Sequence, residues 1–365
     1  MSTIFYISLF LLLIVIIRFL VVVLNFIARP ILPEGKVQFQ PLVSVLIPAR
    51  DEEKNIGLLL SGLSQQTYSN IEILVYDDQS TDDTTGIVQK FMHEEPRLTL
   101  ISGNEKPIGW MGKNYACHCL AQAAKGDFFL FLDADVVVTP VFVENALAYM
   151  QRKRLSLLSM FPRQELKSFG EKLVVPSMNW ILLSMLFLRL IRWSRRRSLA
   201  AANGQMMMFD GQQYRLNSWH QQVMGTPVED IAISRLIKKN RLRMSTLLGT
   251  NDISCRMYGS YSEAINGFTK NVKGFFGGSI VVTLIFALFE TIAPVIAILG
   301  LPFPLVFLFL FAWISSRMLV ARLSEQSVLF NVLLWPLQQV AFLHLVYKAT
   351  IYTITRKLTW KGRNV

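Results

Sequence analysis

The sequence predicts an α/β protein, a mostly parallel sheet flanked by helices, with one transmembrane helix near its N-terminus and about three near its C-terminus. Three observations lead there. Strand-like and helix-like segments alternate from Val43 to Lys239 at the spacing of βαβ units. Long apolar stretches flank that region, and the 365-residue chain is 52% hydrophobic with a mean hydropathy of +0.38, too apolar for an ordinary soluble protein. Between them the run Gly126-Asp-Phe-Phe-Leu-Phe-Leu-Asp-Ala-Asp-Val-Val-Val138 reads as a buried parallel strand, broken by two carboxylates, Asp133 and Asp135.

Ile4 to Ile27 is nearly all aliphatic or aromatic, long enough to cross a bilayer. No basic start or small-residue cleavage site marks it as a signal peptide. Arg29 and Lys36 follow it, which predicts a cytoplasmic location for what comes next. A Pro- and Gly-containing linker leads to a strand at Val43–Pro48, stopped by Pro48, and a helix over 56–66. A strand at Ile71–Tyr76, a helix over 83–93, a strand at Leu98–Ile101 and a helix opening at Gly109-Trp-Met-Gly-Lys113 follow. Beyond the Asp133 strand come a helix from about Pro140, a small strand in Asn203–Phe209 and a helix over Pro227–Lys239. Pro176 to Arg197 mixes apolar residues with Arg189, Arg192 and Arg195-Arg-Arg197. It reads as an amphipathic helix in the cytoplasmic interface, its arginines toward anionic headgroups, with a buried core helix and a span as the alternatives. Spans are expected near Ser279–Leu299, Pro302–Val320 and Val328–Tyr347, with Trp335-Pro336 a point where the last can break. The expected organisation is an N-terminal span (1–28), a cytoplasmic α/β domain (40–275) and a C-terminal membrane region (276–354).

A net charge of +12 suits an anionic lipid surface, a phosphate-bearing substrate or nucleic acid. The positive residues cluster beside the spans, which disfavours nucleic acid. Three cysteines, none in a Cys-x2-Cys pair, exclude a disulfide framework and a zinc site. Cys117-His118-Cys119 falls on a helix, where neighbours two apart diverge.

The acids concentrate where predicted strands end. Asp133 and Asp135 are close enough to repel unless a cation lies between them, and a hard ion such as Mg2+ or Mn2+ prefers oxygen ligands shared with substrate phosphates. Asp77-Asp-Gln-Ser-Thr-Asp82 follows another strand; an Asx turn is the alternative role for its first acids. Glu229 and Asp230 open a helix, where acids also complement the dipole.

In order and spacing, Pro48-Ala-Arg-Asp-Glu52, Asp77-Asp78, Gly109-Trp-Met-Gly-Lys113, Asp133-Ala-Asp135 and Glu229-Asp230 resemble family 2 glycosyltransferases of the GT-A fold. The subset they resemble comprises membrane-bound lipid glycosyltransferases such as diaponeurosporenoate and ceramide glucosyltransferases. The resemblance covers roughly residues 42–275. It implies that Pro48, Arg50 and Glu52 line the nucleotide pocket, that Asp77 and Asp78 hold the uracil, and that Lys113 reaches the diphosphate. It further implies that Asp133 contacts ribose or metal, that Asp135 binds the metal, and that Asp230 is the catalytic base assisted by Glu229. Two departures stand out. Asp51 replaces the usual Asn, and the Gln-x-x-Arg-Trp signature is missing; Lys270, in Gly267-Phe-Thr-Lys-Asn271, takes the place of its arginine. The expected activity is inverting transfer of a hexose from a nucleotide-diphosphate sugar, a UDP-sugar, to a membrane lipid such as a carotenoid acid or glycolipid precursor. A processive polysaccharide synthase and a non-catalytic membrane protein are the competing expectations.

Overall fold

A computed structural model describes residues 3–355, together with the backbone of 359–360 and 363–364. It forms two compact units, one made of Pro30–Glu165 and Leu188–Arg256, the other of Met1–Arg29, Leu166–Phe187 and Met257–Val365. Helix α1 (Thr3–Ala28) leads to strand β1 (Val43–Ala49), α2 (Ile56–Ser64), β2 (Ile71–Asp77), α3 (Thr84–Glu94), β3 (Leu98–Ser102) and α4 (Gly112–Ala123). β4 (Phe128–Leu132), β5 (Val136–Val138), α5 (Phe142–Lys153), β6 (Leu157–Phe161) and β7 (Arg163–Gln164) follow. Then come α6 (Phe169–Val174), α7 (Pro176–Met185), α8 (Leu188–Trp193), β8 (Met206–Asp210), α9 (Gly211–Asn217), α10 (Trp219–Gln222) and α11 (Glu229–Lys239). β9 (Met244–Leu248) and β10 (Ile253–Cys255) precede α12 (Tyr261–Phe275), α13 (Ile280–Gly300), α14 (Phe303–Leu323), α15 (Val328–Leu333) and α16 (Trp335–Thr355).

The first unit is built on a seven-stranded sheet of order β3-β2-β1-β4-β8-β6-β9. β1 is parallel to both β2 and β4, whereas β8 runs antiparallel to β4 and β6. The chain moves outward from β1 to β3 and then returns to the other side of β1 as β4. The strand order therefore reverses between β1 and β4, and the carboxyl ends of strands at such a reversal are the usual ligand position in such sheets. Every residue of β4 is buried, as are all but one of β1. Each fully buried Leu, Ile or Phe contributes about 1.5–3 kcal/mol relative to exposure.

Pro48 does not stop β1, which continues to Ala49. Pairing with β4 ends at Leu46, so the missing amide of Pro48 deprives no partner on that side. The sequence also underreads the far half of the sheet. β6 and β9 are five-residue strands, too short for periodicity to separate from the neighbouring helices.

In the second unit α1, α13 and α14 are the three helices, among the described residues, long and apolar enough to cross a membrane. Leu12 and Val15 pack with Ala293, Ala297, Phe309, Ala312 and Trp313, the small side chains permitting close approach of helices. The last expected span is broken at Trp335-Pro336, where its sequence allows a break, into α15 and α16. Helix α16 carries Gln338, Gln339, His344 and Lys348, which keep it below that apolarity. The single helix expected over 176–197 is likewise two. α7 ends at Met185, where Asn25 Nδ2 donates to the carbonyls of Leu183 and Leu186 at 2.9 and 2.8 Å, and α8 starts anew at Leu188.

Candidate active site

Asp133 and Asp135 lie just past β4, in the turn that joins it to β5. The side-by-side placement expected on one strand is supplied instead by this turn, closed by the Val136 amide on the Asp133 carbonyl at 3.3 Å. Lys113, in the first turn of α4, faces them. Its Nζ lies 2.7 Å from Asp133 Oδ1 and 3.2 Å from Glu229 Oε1. Asn114 explains how α4 meets the start of α11. Its Nδ2 donates to the carbonyls of Val223, Met224 and Thr226 at 2.9, 3.2 and 3.0 Å, so the loop before Glu229 is tied to the residue after Lys113.

Asp230 stands beside this chain of charges. Its Oδ2 accepts from the Gly204 amide at 2.9 Å and its Oδ1 from its neighbour Ile231 at 2.7 Å. Gly204 leaves room there for the side-chain ends of both neighbours. A Cβ on it would come 2.9 Å from Glu229 Oε1 and 3.1 Å from Lys113 Nζ.

Burial and charge divide these groups by protonation. Burial opposes the charge on Lys113, but Asp133 and then Glu229 outweigh it and hold its pKa well above the ordinary lysine value. Burial also opposes charge on Glu229, yet Lys113 leaves its pKa below the usual carboxylate range. Asp230 lacks such a contact: burial first, and the Glu229 charge second, push its pKa up to about 7. Two adjacent acids thus differ, one kept ionised and one poised near neutrality.

Asp135 is pushed up to about 6, chiefly by burial and then by Asp133. Its Oδ1 is buried without a hydrogen-bond partner. Gln205 Nε2 reaches its Oδ2 at 3.5 Å and Cys255 Sγ at 2.8 Å. An orphaned anionic oxygen next to a second carboxylate fits a hard divalent cation that takes its remaining ligands from a diphosphate. No group of three or more His, Cys, Asp or Glu side chains forms a complete protein cage among the described residues.

The β1 and β2 loops are stitched together. Asp51 and Gln79 adopt left-handed φ of 51° and 59°, a conformation both Asp and Asn tolerate, and Asp51 Oδ1 accepts from the Thr81 amide at 2.7 Å. Asp77 is occupied locally, its Oδ1 accepting from the Ser80 amide and its Oδ2 from Thr85 Oγ1, both at 3.1 Å. That is the turn-closing role. Asp78 is buried next to Arg50, whose Nη1 donates to the Asp78 carbonyl at 2.6 Å. Pro48 is half-buried opposite Tyr76. The Glu52 carboxylate accepts from Asn55 at 2.8 Å and lies near enough to raise the pKa of Asp133 and Asp135. Lys270 belongs to α12 of the second unit. Sequence reasoning missed Asn114, Gly204, Gln205 and Cys255; only the Asn203-Gly204 turn ahead of a strand hinted at any of them.

Residues 44–209 match the family described as glycosyl transferase family 2. A 4,4'-diaponeurosporenoate glycosyltransferase of Staphylococcus haemolyticus is 26% identical over 63% of this chain and 60% of its own length. The chain thus spans less than two thirds of that relative. The UDP-Glc:alpha-D-GlcNAc-diphosphoundecaprenol beta-1,3-glucosyltransferase WfaP of Escherichia coli is 32% identical over 31% of this chain and 43% of its own. A mannosyltransferase of Pyrobaculum calidifontis, solved in complex with GDP-Man and Mn2+, aligns with a TM-score of 0.57 at 18% identity. That alignment covers 95% of this chain and 99% of that one, and the likeness is one of fold.

Proposed function

We propose, from the match of residues 44–209 to glycosyl transferase family 2, that the chain transfers one hexose from a nucleotide-diphosphate sugar, a UDP-sugar, to a lipid acceptor, with inversion at the anomeric carbon. The observation that carries this reading is Asp230, fixed by the Gly204 amide and pushed up to about 7 beside the ionised Lys113–Glu229 pair. A base with a pKa near the working pH suits removal of a hydroxyl proton. The acceptor oxygen forms its bond to the anomeric carbon as the bond to the diphosphate oxygen breaks. The proton goes to Asp230 and the electron pair leaves with the nucleoside diphosphate.

Lys113 reaches the diphosphate as a point charge, exchanging part of its contact with Asp133. Arg50, Glu52 and Asp78 bind the nucleoside at the end of β1, with Pro48 on its wall. Asp77 shapes that loop through Ser80 and Thr85 and, with a lone pair left on each oxygen, contacts the base beside Asp78. Asp133 and Asp135 would hold Mg2+ or Mn2+, whose charge favours departure of the diphosphate. The apolar helices anchor the enzyme in the cell membrane as a multi-pass protein beside its lipid acceptor. Arg29 and Lys36 favour a cytoplasmic catalytic unit, and the basic residues near α8 favour an anionic membrane surface.

The test is to incubate membranes containing the protein with several nucleotide sugars and to search the lipid extract for a mass gain of one hexose, lost in Asp135→Ala and Asp230→Asn. A long polymer would instead make it a processive synthase. Absence of nucleotide-sugar binding would remove catalysis altogether.

A further inference from the structure

Away from the carboxylate cluster, the first unit has a second concavity of about 650 Å3, lined by Trp193, the loop after it and the C-terminal end of α11. Its charged lining is entirely cationic: Arg195, Arg196, Arg197, Lys238, Lys239 and Arg241. Arg195, Arg196 and Arg197 are exposed, and none of the six forms an ion pair with a carboxylate among the described residues. Like charges so grouped repel one another, and a polyanion relieves that repulsion.

Two features fix the backbone that carries these cations. Lys238 is buried, and its Nζ donates to the carbonyls of Ile191 and, at 2.5 Å, Ser194. This fastens the end of α8 and the arginine loop to α11. Arg241 follows the last turn of α11 with a left-handed φ of 57°. The Arg241 and Leu242 amides return to the carbonyls of Lys238 and Ile237, both at 3.1 Å. This helix ending favours glycine, because a side chain strains it. A strained arginine at the rim of a cationic hollow is an outlier whose use lies in its charge.

We propose that this hollow is a binding site for the phosphate of an anionic phospholipid headgroup. The companion residues favour a lipid over a soluble phosphate. Trp193 and Leu190 are exposed large hydrophobic residues beside the cations, the pairing found where protein meets the membrane–water boundary. Occupancy would brace α11, the helix that bears Glu229 and Asp230 at its other end. The proposal rests on the membrane reading above but not on the transfer chemistry, so its test omits the sugar donor.

The experiment is a thermal unfolding series on the detergent-purified full chain with added phosphatidylglycerol, phosphatidylcholine, inorganic phosphate or a short single-stranded RNA. Phosphatidylglycerol is expected to raise Tm saturably, and phosphatidylcholine is not. The shift should fall by half or more in R195Q/R196Q/R197Q. Arg241→Gly should raise Tm in the absence of lipid, by relieving backbone strain, yet shrink the lipid-induced shift; a purely structural arginine would not do both. Equal shifts from both lipids, or an undiminished shift in the triple variant, overturn the proposal. Inorganic phosphate or RNA matching phosphatidylglycerol at equal concentration overturns the lipid assignment. A nucleotide sugar added alone reports the other site, so loss of donor binding and loss of lipid binding are separable results.

Discussion

Each unit of this protein buries a charge network, and the two are near mirror images. In the sheet unit one cation, Lys113, is set among acids: Asp133, Glu229 and, close by, Asp135 and Asp230. In the helical unit one acid, Glu290 on α13, is set among cations. Arg18 on α1 and Arg317 on α14 both pair with it. Trp180 donates its indole N–H to Glu290 at 2.9 Å, and the two guanidinium groups lie 4.9 and 4.5 Å from its ring. The difference is access. The Lys113 and Asp133 side chains are 36% and 26% exposed, whereas Glu290 and Arg317 are 1% and 9% exposed. An open network can exchange partners with a ligand; a sealed one can only hold its helices in register. Both lie on apolar scaffolds, so burial alone does not mark an active site.

Four substitutions sharpen that contrast. Asp230→Asn should have the largest effect, lowering kcat by about 10²–10⁴-fold, the range for loss of a general base, while stability stays near wild type. Its pH signature is specific. With a pKa of about 7, Asp230 is protonated and unable to accept a proton at lower pH, so activity falls as pH drops through 7. The variant's residual activity should lack that limb, as read from kcat against pH. Glu290→Ala does the reverse. Stranding Arg18 and Arg317 should cost about 3–5 kcal/mol of stability, read by denaturant unfolding in detergent, with kcat per folded molecule little changed. Equal losses of kcat and stability in both variants would erase the distinction between the networks.

Lys113→Met should reduce kcat by about 10²–10³-fold, as for other groups that stabilise developing negative charge. It should also raise the pKa of Glu229, whose low value depends on Lys113; a carboxylate-specific infrared or NMR titration reads that change. Gly204→Ala should be the mildest. Its methyl must displace Glu229 or Lys113 by a few tenths of an ångström, for about a tenfold loss in kcat/KM, since small misplacements in an oriented site are costly.

Much of this was legible beforehand, and the exceptions share a cause. The βαβ alternation, the long apolar helices and the acids at strand ends are local patterns, and they read true from β1 to β4. β6 and β9 went unread because five-residue, almost wholly buried strands show no usable period. α16 falls below the apolarity of α1, α13 and α14 because Gln338, Gln339, His344 and Lys348 dilute it, and its break from α15 comes at Trp335-Pro336, where the sequence allows one. Asp77 closes its turn through Ser80 and Thr85, and an Asx turn and a binding carboxylate have the same sequence appearance. Asn114, Gly204, Gln205 and Cys255 act only through partners distant in the chain, and no local signal announces such a role.

Amino-acid order alone determined that a parallel sheet would form, that its strands would end in carboxylates and that helices of span length would flank it. Those outcomes depend on side-chain period, apolar run length and turn chemistry over a few residues. Tertiary structure decided which acids share a neighbour. Glu229 and Asp230 are adjacent in the chain, yet only the close approach of Lys113 to one and of the Gly204 amide to the other separates their proton affinities. Electrostatic energy depends on distance and solvent access, and neither exists until the chain has folded.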